Sequence, residues 1–449
     1  MAVTELARKI EQKQAVIGVI GLGYVGLPVA CMFAEAGFRV IGVRRDREKA
    51  EMINRGLCPI EGKEPGLAEL VAKVVAEGRL RATTDYRACE EAQVILIATE
   101  TPVEPDTHKP VYGALRTALR DLGPHLAEGA LVIIESTIAP RTMELVVKPE
   151  LEQASGKRAS RDFLLVHCPE RVMPGKLLVN IRKLHRVVGG MTPEAAELAV
   201  KLYRHIVEGD LDPVDCTTAE IVKTAENAYR DVQIAFANEL ALICEDMGAD
   251  VWQVRELVNK SPYRNVHLPG AGVGGHCIPK DSWLLISWGS EKLHARLMPT
   301  ARAVNDAMPY HMADLVVEAL APGPRVGGEI GGDMPLQGAR VAVLGYAYLE
   351  NSDDTRNTPT EPFVQRLREL GAEPVIHDPY VKEYNVPLRE VLTGADCAVV
   401  MVRHEQYLHL DWGEIRGWMR KPALVDGRNA FAPPVGFVYR GVGRASRRF

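Results

Sequence analysis

Ala15-Val-Ile-Gly-Val-Ile20, then Gly21-Leu-Gly23-Tyr24-Val25-Gly26, then an apolar helix-like stretch to Ala36-Gly37 and a second apolar run from Phe38 to Val43: this order decides the fold. A short continuous apolar run is the pattern of a strand buried on both faces, and the helical stretch returns the chain to a second such strand. Between strand and helix, GxGxxG is the setting of a dinucleotide-binding turn, in which glycines let the backbone approach a pyrophosphate seated on the helix N-terminus. Gly21, Tyr24, Val25, Gly23 and Gly26 are therefore candidate cofactor contacts, against the plainer reading of a tight turn. The second strand ends in Val43-Arg44-Arg45-Asp46, where an NAD site usually offers Asp or Glu to the ribose. Arg44 either accommodates a 2′-phosphate, as NADP would require, or stacks on adenine while Asp46 reaches the ribose.

Outward from that unit, strand and helix patterns keep alternating. Val94 to Ala98 ends at Thr99-Glu-Thr101, and Leu131 to Ile134 ends at Glu135-Ser136-Thr137. Strand patterns at Phe163 to Val166 and Arg186 to Gly189 precede a helix from Thr192 to His205. The rhythm predicts a parallel, doubly wound α/β sheet. Ligands of such sheets lie beyond the carboxyl ends of strands, where Thr101, Thr137 and the segment His167-Cys-Pro-Glu170-Arg171-Val172-Met-Pro174-Gly175 fall. Taken singly, each hydroxyl reads equally well as a strand-end cap.

From Thr217 the pattern changes to one helix of roughly 30 residues without Gly or Pro, long enough to link domains or form a dimer seam. Lys223, Asn227 and Arg230 recur at helical spacing on one face, either facing solvent or lining a pocket. A second helix, Val251 to Val258, leads through a loop carrying Arg264 to Gly272-Val-Gly274-Gly275-His276-Cys277-Ile-Pro-Lys280-Asp281. Glycines before a cysteine admit a substrate, and a nearby Lys favours the thiolate that attacks carbonyl carbon. The competing reading is a buried cysteine beside a tight turn. Helix patterns return at 282–286 and 298–320. A Gly/Pro-rich stretch at 321–332 reads as a linker, and strand patterns at Arg340 to Leu344, Pro374 to Ile376, Ala398 to Val402 and Ala423 to Val425 form a second α/β unit without GxGxxG. The expected architecture is two Rossmann-like domains, 1–213 and 321–449, flanking a helical domain, 214–320, that holds the long helix.

With 449 residues, 47% hydrophobic and 25% charged, the chain can bury several cores. A formal net charge of -5 makes no electrostatic case for nucleic acid or an anionic membrane. Its 8 cysteines lack zinc-site spacing and read as thiols of a reducing compartment, no metal is expected, and no apolar run reaches membrane-spanning length. The expectation is a cytoplasmic protein.

GLGYVGLP, EST at Glu135, PERVMPG at Pro169, KTAENAYRD on the long helix, GVGGHCIPKD and NSDDTRNTP at Asn351 together resemble the UDP-glucose/GDP-mannose dehydrogenase family, the nucleotide-sugar 6-dehydrogenases, over essentially the whole chain. His276 before the cysteine and the form of the PERVMPG box resemble the branch that acts on UDP-N-acetylhexosamines. The resemblance implies NAD-dependent four-electron oxidation of a sugar 6-hydroxyl to a carboxylate, through a thiohemiacetal and a thioester on Cys277. UDP-N-acetyl-D-mannosamine is the implied substrate, with UDP-N-acetylglucosamine or UDP-glucose as alternatives. It further implies Lys223 as acid/base, Asn227 at the oxyanion, and Asp281 and Glu170 at the water. Thr101, Thr137 and Arg356 are placed near the cofactor. Arg171, Val172, Arg230, Arg264, Gly274, Tyr348 and Arg428 are placed at the UDP-sugar, and a homodimer forms through the central helix. Two departures stand out: Arg44 replaces the strand-end acid, which leaves NADP open beside NAD, and Ala347-Tyr348-Leu349 lacks a Lys that the family places near the substrate. A nucleotide-binding regulator without turnover is the reading from another functional class.

Overall fold

The computed structural model describes residues 3–60, 62, 64–288, 294–320 and 334–444. The expected linker lies outside these residues. The chain divides into two compact units, Met1–Glu226 with Trp283–Leu293, and Asn227–Ser282 with His294–Phe449.

In the first unit, β1 (Val16–Ile20), β2 (Arg39–Val43), β3 (Leu80–Thr83), β4 (Val94–Ile97), β5 (Leu131–Ile134), β6 (Leu164–His167), β7 (Arg186–Gly190) and β8 (Leu211–Asp215) form one sheet in the order 3-2-1-4-5-6-7-8. Every residue of β4, β5 and β6 is buried, because helices cover both faces. Alternate side chains feed opposite cores. Val94, Leu96, Leu131 and Ile133 pack with the helices Gly26–Glu35 and Pro193–Tyr203, whereas Ile95, Ile97, Val132 and Ile134 pack with Gly113–Leu122. Truncating a core ring such as the fully buried Phe33 to Ala would cost about 3–5 kcal/mol.

The sheet departs from an all-parallel expectation at one place: β6 and β7 run antiparallel, with Val166 opposite Gly190. A parallel crossover needs a dozen or more residues, usually with a helix packed across the sheet. Residues 168–185 are long enough for such a crossover, yet they hold the PERVMPG segment and one seven-residue helix, Leu177–Lys183, and the chain re-enters the sheet at the end it left. The edge strand β8 contains Asp212, Pro213 and Asp215 and is mostly exposed. Such edge chemistry discourages further pairing and erases the apolar signal that sequence reading needs.

The second unit has a five-stranded, all-parallel sheet of order 10-9-11-12-13, made of β9 (Arg340–Leu344), β10 (Glu373–His377), β11 (Cys397–Val400), β12 (Ala423–Asp426) and β13 (Val438–Gly441). Its alternate residues again split between two cores, Val341 and Val343 toward Phe363 and Met308, Ala342 and Leu344 toward Trp412 and Tyr407. The long helix, Cys216–Met247, is 32 residues, starts in the first unit and ends in the second. The second unit also holds the helices Val251–Asn259 and Leu297–Leu320 and the start of Ile278–Ile286, whose residues from Trp283 on belong to the first unit. A buried ionic knot joins three of these elements: Asp231 receives Arg302 Nη1 at 2.6 Å, Asn305 Nδ2 at 2.7 Å and Ser282 Oγ at 3.2 Å.

Candidate active site

The glycine turn of the first unit has the geometry of a dinucleotide cradle. Gly21 has φ +95°, and a Cβ there would fall 2.5 Å from Ala98 O; a Cβ on Gly26 would fall 2.1 Å from Gly21 O. Only glycine fits either place, which brings strand and helix together. A Cβ on Gly23 would meet nothing within 4 Å, so this backbone is open to a ligand. These residues fit the pyrophosphate of NAD. Val25 precedes the helix Gly26–Glu35. The Tyr24 hydroxyl donates to Glu64, whose carboxylate also accepts Gly175 N at 2.8 Å, joining the turn to the PERVMPG segment. No motif surrounds Glu64, and sequence reading passes over it. The Arg44 guanidinium donates to Leu22 O, so it braces the glycine turn, a contact that neither sequence reading of Arg44 includes. Asp46 caps the next helix by accepting from Lys49 N at 3.0 Å.

At the strand ends, Thr101 Oγ1 donates to Thr137 O at 2.5 Å and Ser136 Oγ to Thr99 O at 2.6 Å. The hydroxyl of Thr101 is therefore a cap between neighbouring strand ends. Lys223 is buried and its Nζ donates to Glu170 O at 2.6 Å, so the long helix delivers its amino group to the PERVMPG segment. The Glu170 carboxylate accepts from Val172 N. Arg171 is turned onto Glu226, with Nε at 3.0 Å from its carboxylate, and onto His185 O. Beneath lies a polar layer with little sequence signal. Glu135 Oε1 accepts from Tyr203 Oη at 2.6 Å and from Arg186 Nη1 at 3.3 Å, all three fully buried, and burial raises the Glu135 carboxyl above its ordinary range. His167 Nδ1 donates to Ile134 O at 3.0 Å; burial first, and the charge of Lys223, push its imidazole down to about 3.

In the second unit, Cys277 immediately precedes the helix Ile278–Ile286, and its carbonyl accepts from Asp281 N at 2.9 Å and Lys280 N at 3.1 Å. Cys277, half-buried, thus sits at the positive end of the helix, where negative charge is favoured. Asn227 Nδ2 donates to Asp281 Oδ2 at 2.6 Å, and Lys280 Nζ lies 3.1 Å from Oδ1, an ion-pair contact without hydrogen-bond alignment. The face shared by Lys223, Asn227 and Arg230 is graded: buried, half-buried and exposed in turn. Arg264 is exposed and donates only to carbonyls of its own loop among the described contacts, at 3.3 and 3.5 Å.

The glycine run before the thiol is shaped by the C-terminal sheet's loops. Gly275 has φ +89°, its N–H donates to Arg356 O at 2.9 Å, and its carbonyl accepts from Asn357 Nδ2 at 3.1 Å. A Cβ on Gly274 would lie 2.5 Å from Tyr348 Cβ. Arg356 pairs with Asp354 at 2.6 Å, and Arg428 spans Met401 O at 2.8 Å and Gly272 O at 3.3 Å. Leu349, the residue in place of the family's Lys, is 37% exposed. Among the described residues no cluster of metal ligands occurs.

An open glycine cradle on a doubly wound sheet defines the first unit as a dinucleotide-binding domain of the oxidoreductase kind. Models of the UDP-glucose/GDP-mannose dehydrogenase family match as NAD binding domain at residues 15–207, central domain at 217–307 and UDP binding domain at 342–433. The chain belongs to that family; NAD is its cofactor and a UDP-sugar its class of substrate. It is 41% identical to UDP-N-acetyl-D-mannosamine dehydrogenase of Pyrococcus horikoshii over 95% of this chain and 99% of that one. The solved structure of the enzyme of that name from the same organism superposes with TM-score 0.88, covering 96% of this chain and 99% of the other at 40% identity. An NDP-N-acetyl-D-galactosaminuronic acid dehydrogenase from Methanosarcina mazei superposes with TM-score 0.84 at 40% identity, covering 98% of each chain.

Proposed function

We propose that this chain oxidises C6 of UDP-N-acetyl-D-mannosamine to the uronic acid. The observation that carries the reading is Cys277 at the start of a helix, preceded by His276 and followed by the Lys280–Asp281 pair to which Asn227 is bonded. NAD supplies two hydride acceptances, one for each oxidation of C6. Lys223 takes the proton of the C6 hydroxyl at Nζ in the first oxidation and stands by the oxygen as charge develops on it. Asn227 donates to the same oxygen through Nδ2. Cys277 adds Sγ to the aldehyde carbon, giving a thiohemiacetal; loss of the second hydride leaves a thioester. Water, held by Asp281 and Glu170, attacks the thioester carbon, and the thiolate leaves with the acid released. Gly21, Gly23, Tyr24, Val25, Gly26, Arg44, Thr101, Thr137 and Arg356 serve the cofactor side. Arg171, Val172, Arg230, Arg264, Gly274, Tyr348 and Arg428 serve the sugar nucleotide.

The domains run 1–213 for NAD, 214–320 for the helical centre and 321–449 for UDP. The protein acts in the cytoplasm as a homodimer. Support for the dimer is the exposed apolar stripe Tyr229, Phe236, Ile243 and Met247 on the long helix, spaced as a helix seam. Among the described residues, no helix is long and apolar enough to cross a membrane.

Comparing kcat/KM for UDP-N-acetylmannosamine, UDP-N-acetylglucosamine and UDP-glucose tests the assignment. A preference of roughly tenfold or more for the first is expected, since buried polar contacts to a substrate group reject analogues that misplace it. Faster turnover of UDP-glucose would overturn it.

A further inference from the structure

The C-terminal sheet holds a buried pair of titratable groups that no step above uses. Asp378 follows β10, His404 follows β11, and both are fully buried. Asp378 Oδ2 accepts the backbone N–H of Tyr346 at 2.7 Å and of Ala347 at 2.9 Å, and His404 Nε2 lies 3.1 Å from the same oxygen. On the opposite side of the ring, Nδ1 is 2.9 Å from the backbone N–H of Asn351. A ring nitrogen that accepts a backbone N–H carries no proton. The imidazole is therefore neutral and donates through Nε2 to Asp378. Tyr380 and Tyr407 close around the ring at 5.0 and 5.4 Å, with His377 bonded to Tyr407.

The two side chains thus grip both ends of the segment 346–351. Tyr348 sits in its middle, and its ring atoms are 2.8 Å from where a Cβ on Gly275 would stand, its own Cβ 2.5 Å from one on Gly274. The side chain consequently lies on the two glycines that lead into His276 and Cys277, its Cβ at Gly274 and its ring at Gly275. We propose that His404 is a positioning residue for the sugar nucleotide: with Asp378 it sets the height of Tyr348 over the thiol loop, and so the fit of the substrate there. This rests on the reading that Gly274 and Tyr348 line the substrate site.

Three substitutions dissect the grip. His404→Gln keeps a donor near the Nε2 position for Asp378 and abandons Asn351, His404→Asn keeps an acceptor near Nδ1 for Asn351 and abandons Asp378, and His404→Leu serves neither. KM for the UDP-sugar is expected to rise about tenfold in the Leu variant and less in the other two, with KM for NAD unchanged, because lost hydrogen bonds at one loop remove binding at one ligand. In a Tyr348→Ala background the Leu substitution should change KM no further. Alkylation of Cys277 by iodoacetamide, followed by peptide mass spectrometry, should quicken in the Leu variant as the ring lifts. An unchanged KM in all three variants, or an equal rise in the Tyr348→Ala background, would overturn the proposal. If the Leu variant does not fold, the Gln and Asn variants carry the test. Failure of the underlying function is seen separately, as a wild-type enzyme that oxidises none of the UDP-sugars.

Discussion

Asn227 Nδ2 stands 2.6 Å from Asp281 Oδ2, tying the long helix to the carboxylate four residues beyond the thiol. Asp281 and Lys280 are both buried, so neither charge is screened by water, and each requires the other. Asp281→Asn keeps the shape and removes the charge, leaving the Lys280 ammonium against an amide. A loss of on the order of 3 kcal/mol in stability is expected, with kcat down about 10²-fold or more. Chemical denaturation and steady-state kinetics of the same preparation check both; an undiminished kcat would remove Asp281 from the chemistry.

Cys277→Ser tests the covalent step. A serine hydroxyl at the same helix start is a far weaker nucleophile toward an aldehyde, and acid formation should fall by roughly 10³-fold or more. Binding of NADH and of the UDP-sugar, measured calorimetrically, should remain. Acid formation at the wild-type rate would leave the thiol without a role.

The buried His167 gives the fold an acid sensitivity. Its folded pKa is lowered to about 3 by burial and by Lys223, below the ordinary imidazole value of 6.5, so the unfolded chain binds the extra proton first. Stability from this group is present above pH about 6.5 and lost as pH falls toward 3. Between pH 7 and pH 5 the loss amounts to about 2 kcal/mol. His167→Asn removes the titration, and its unfolding midpoint should fall less than that of the wild type over the same interval. Parallel pH dependence in the two proteins would assign the acid sensitivity elsewhere.

Much of this was legible in the sequence, and for identifiable reasons. The glycine turn is set by local backbone geometry, as the positive φ of Gly21 and the crowding at Gly26 show, and such demands appear directly as residue identity. The long helix was legible because no Gly or Pro interrupts it. The strands β3, β8 and β13 were not, since Arg81, Asp212 and Arg440 break their apolar runs at sheet edges. Contacts that depend on tertiary meeting left no pattern either. Glu64 on Tyr24, Arg44 on Leu22 O, and the Glu135–Arg186–Tyr203 layer join residues 22 to 68 positions apart. A buried Arg such as Arg186 or Arg302 looks in sequence like any surface cation.

The apolar stripe of the long helix makes a prediction about assembly. Phe236 is 55% and Tyr229 66% exposed, areas that a second copy would cover. Phe236→Glu places a charge in the middle of that seam and should shift the protein to monomers in sedimentation velocity at micromolar concentration. A dimer that persists unchanged would place the interface on another surface.

The most direct test of the central claim is the yield of reduced cofactor from a limiting amount of UDP-N-acetylmannosamine, followed by absorbance with NAD and, in parallel, with NADP. Two equivalents of NADH per sugar, with little reaction from NADP, are expected, because the sulfur captures the aldehyde left by the first oxidation and holds C6 through the second, and Arg44 is occupied at Leu22 O. One equivalent per sugar, or turnover with NADP alone, would contradict the four-electron course or the cofactor.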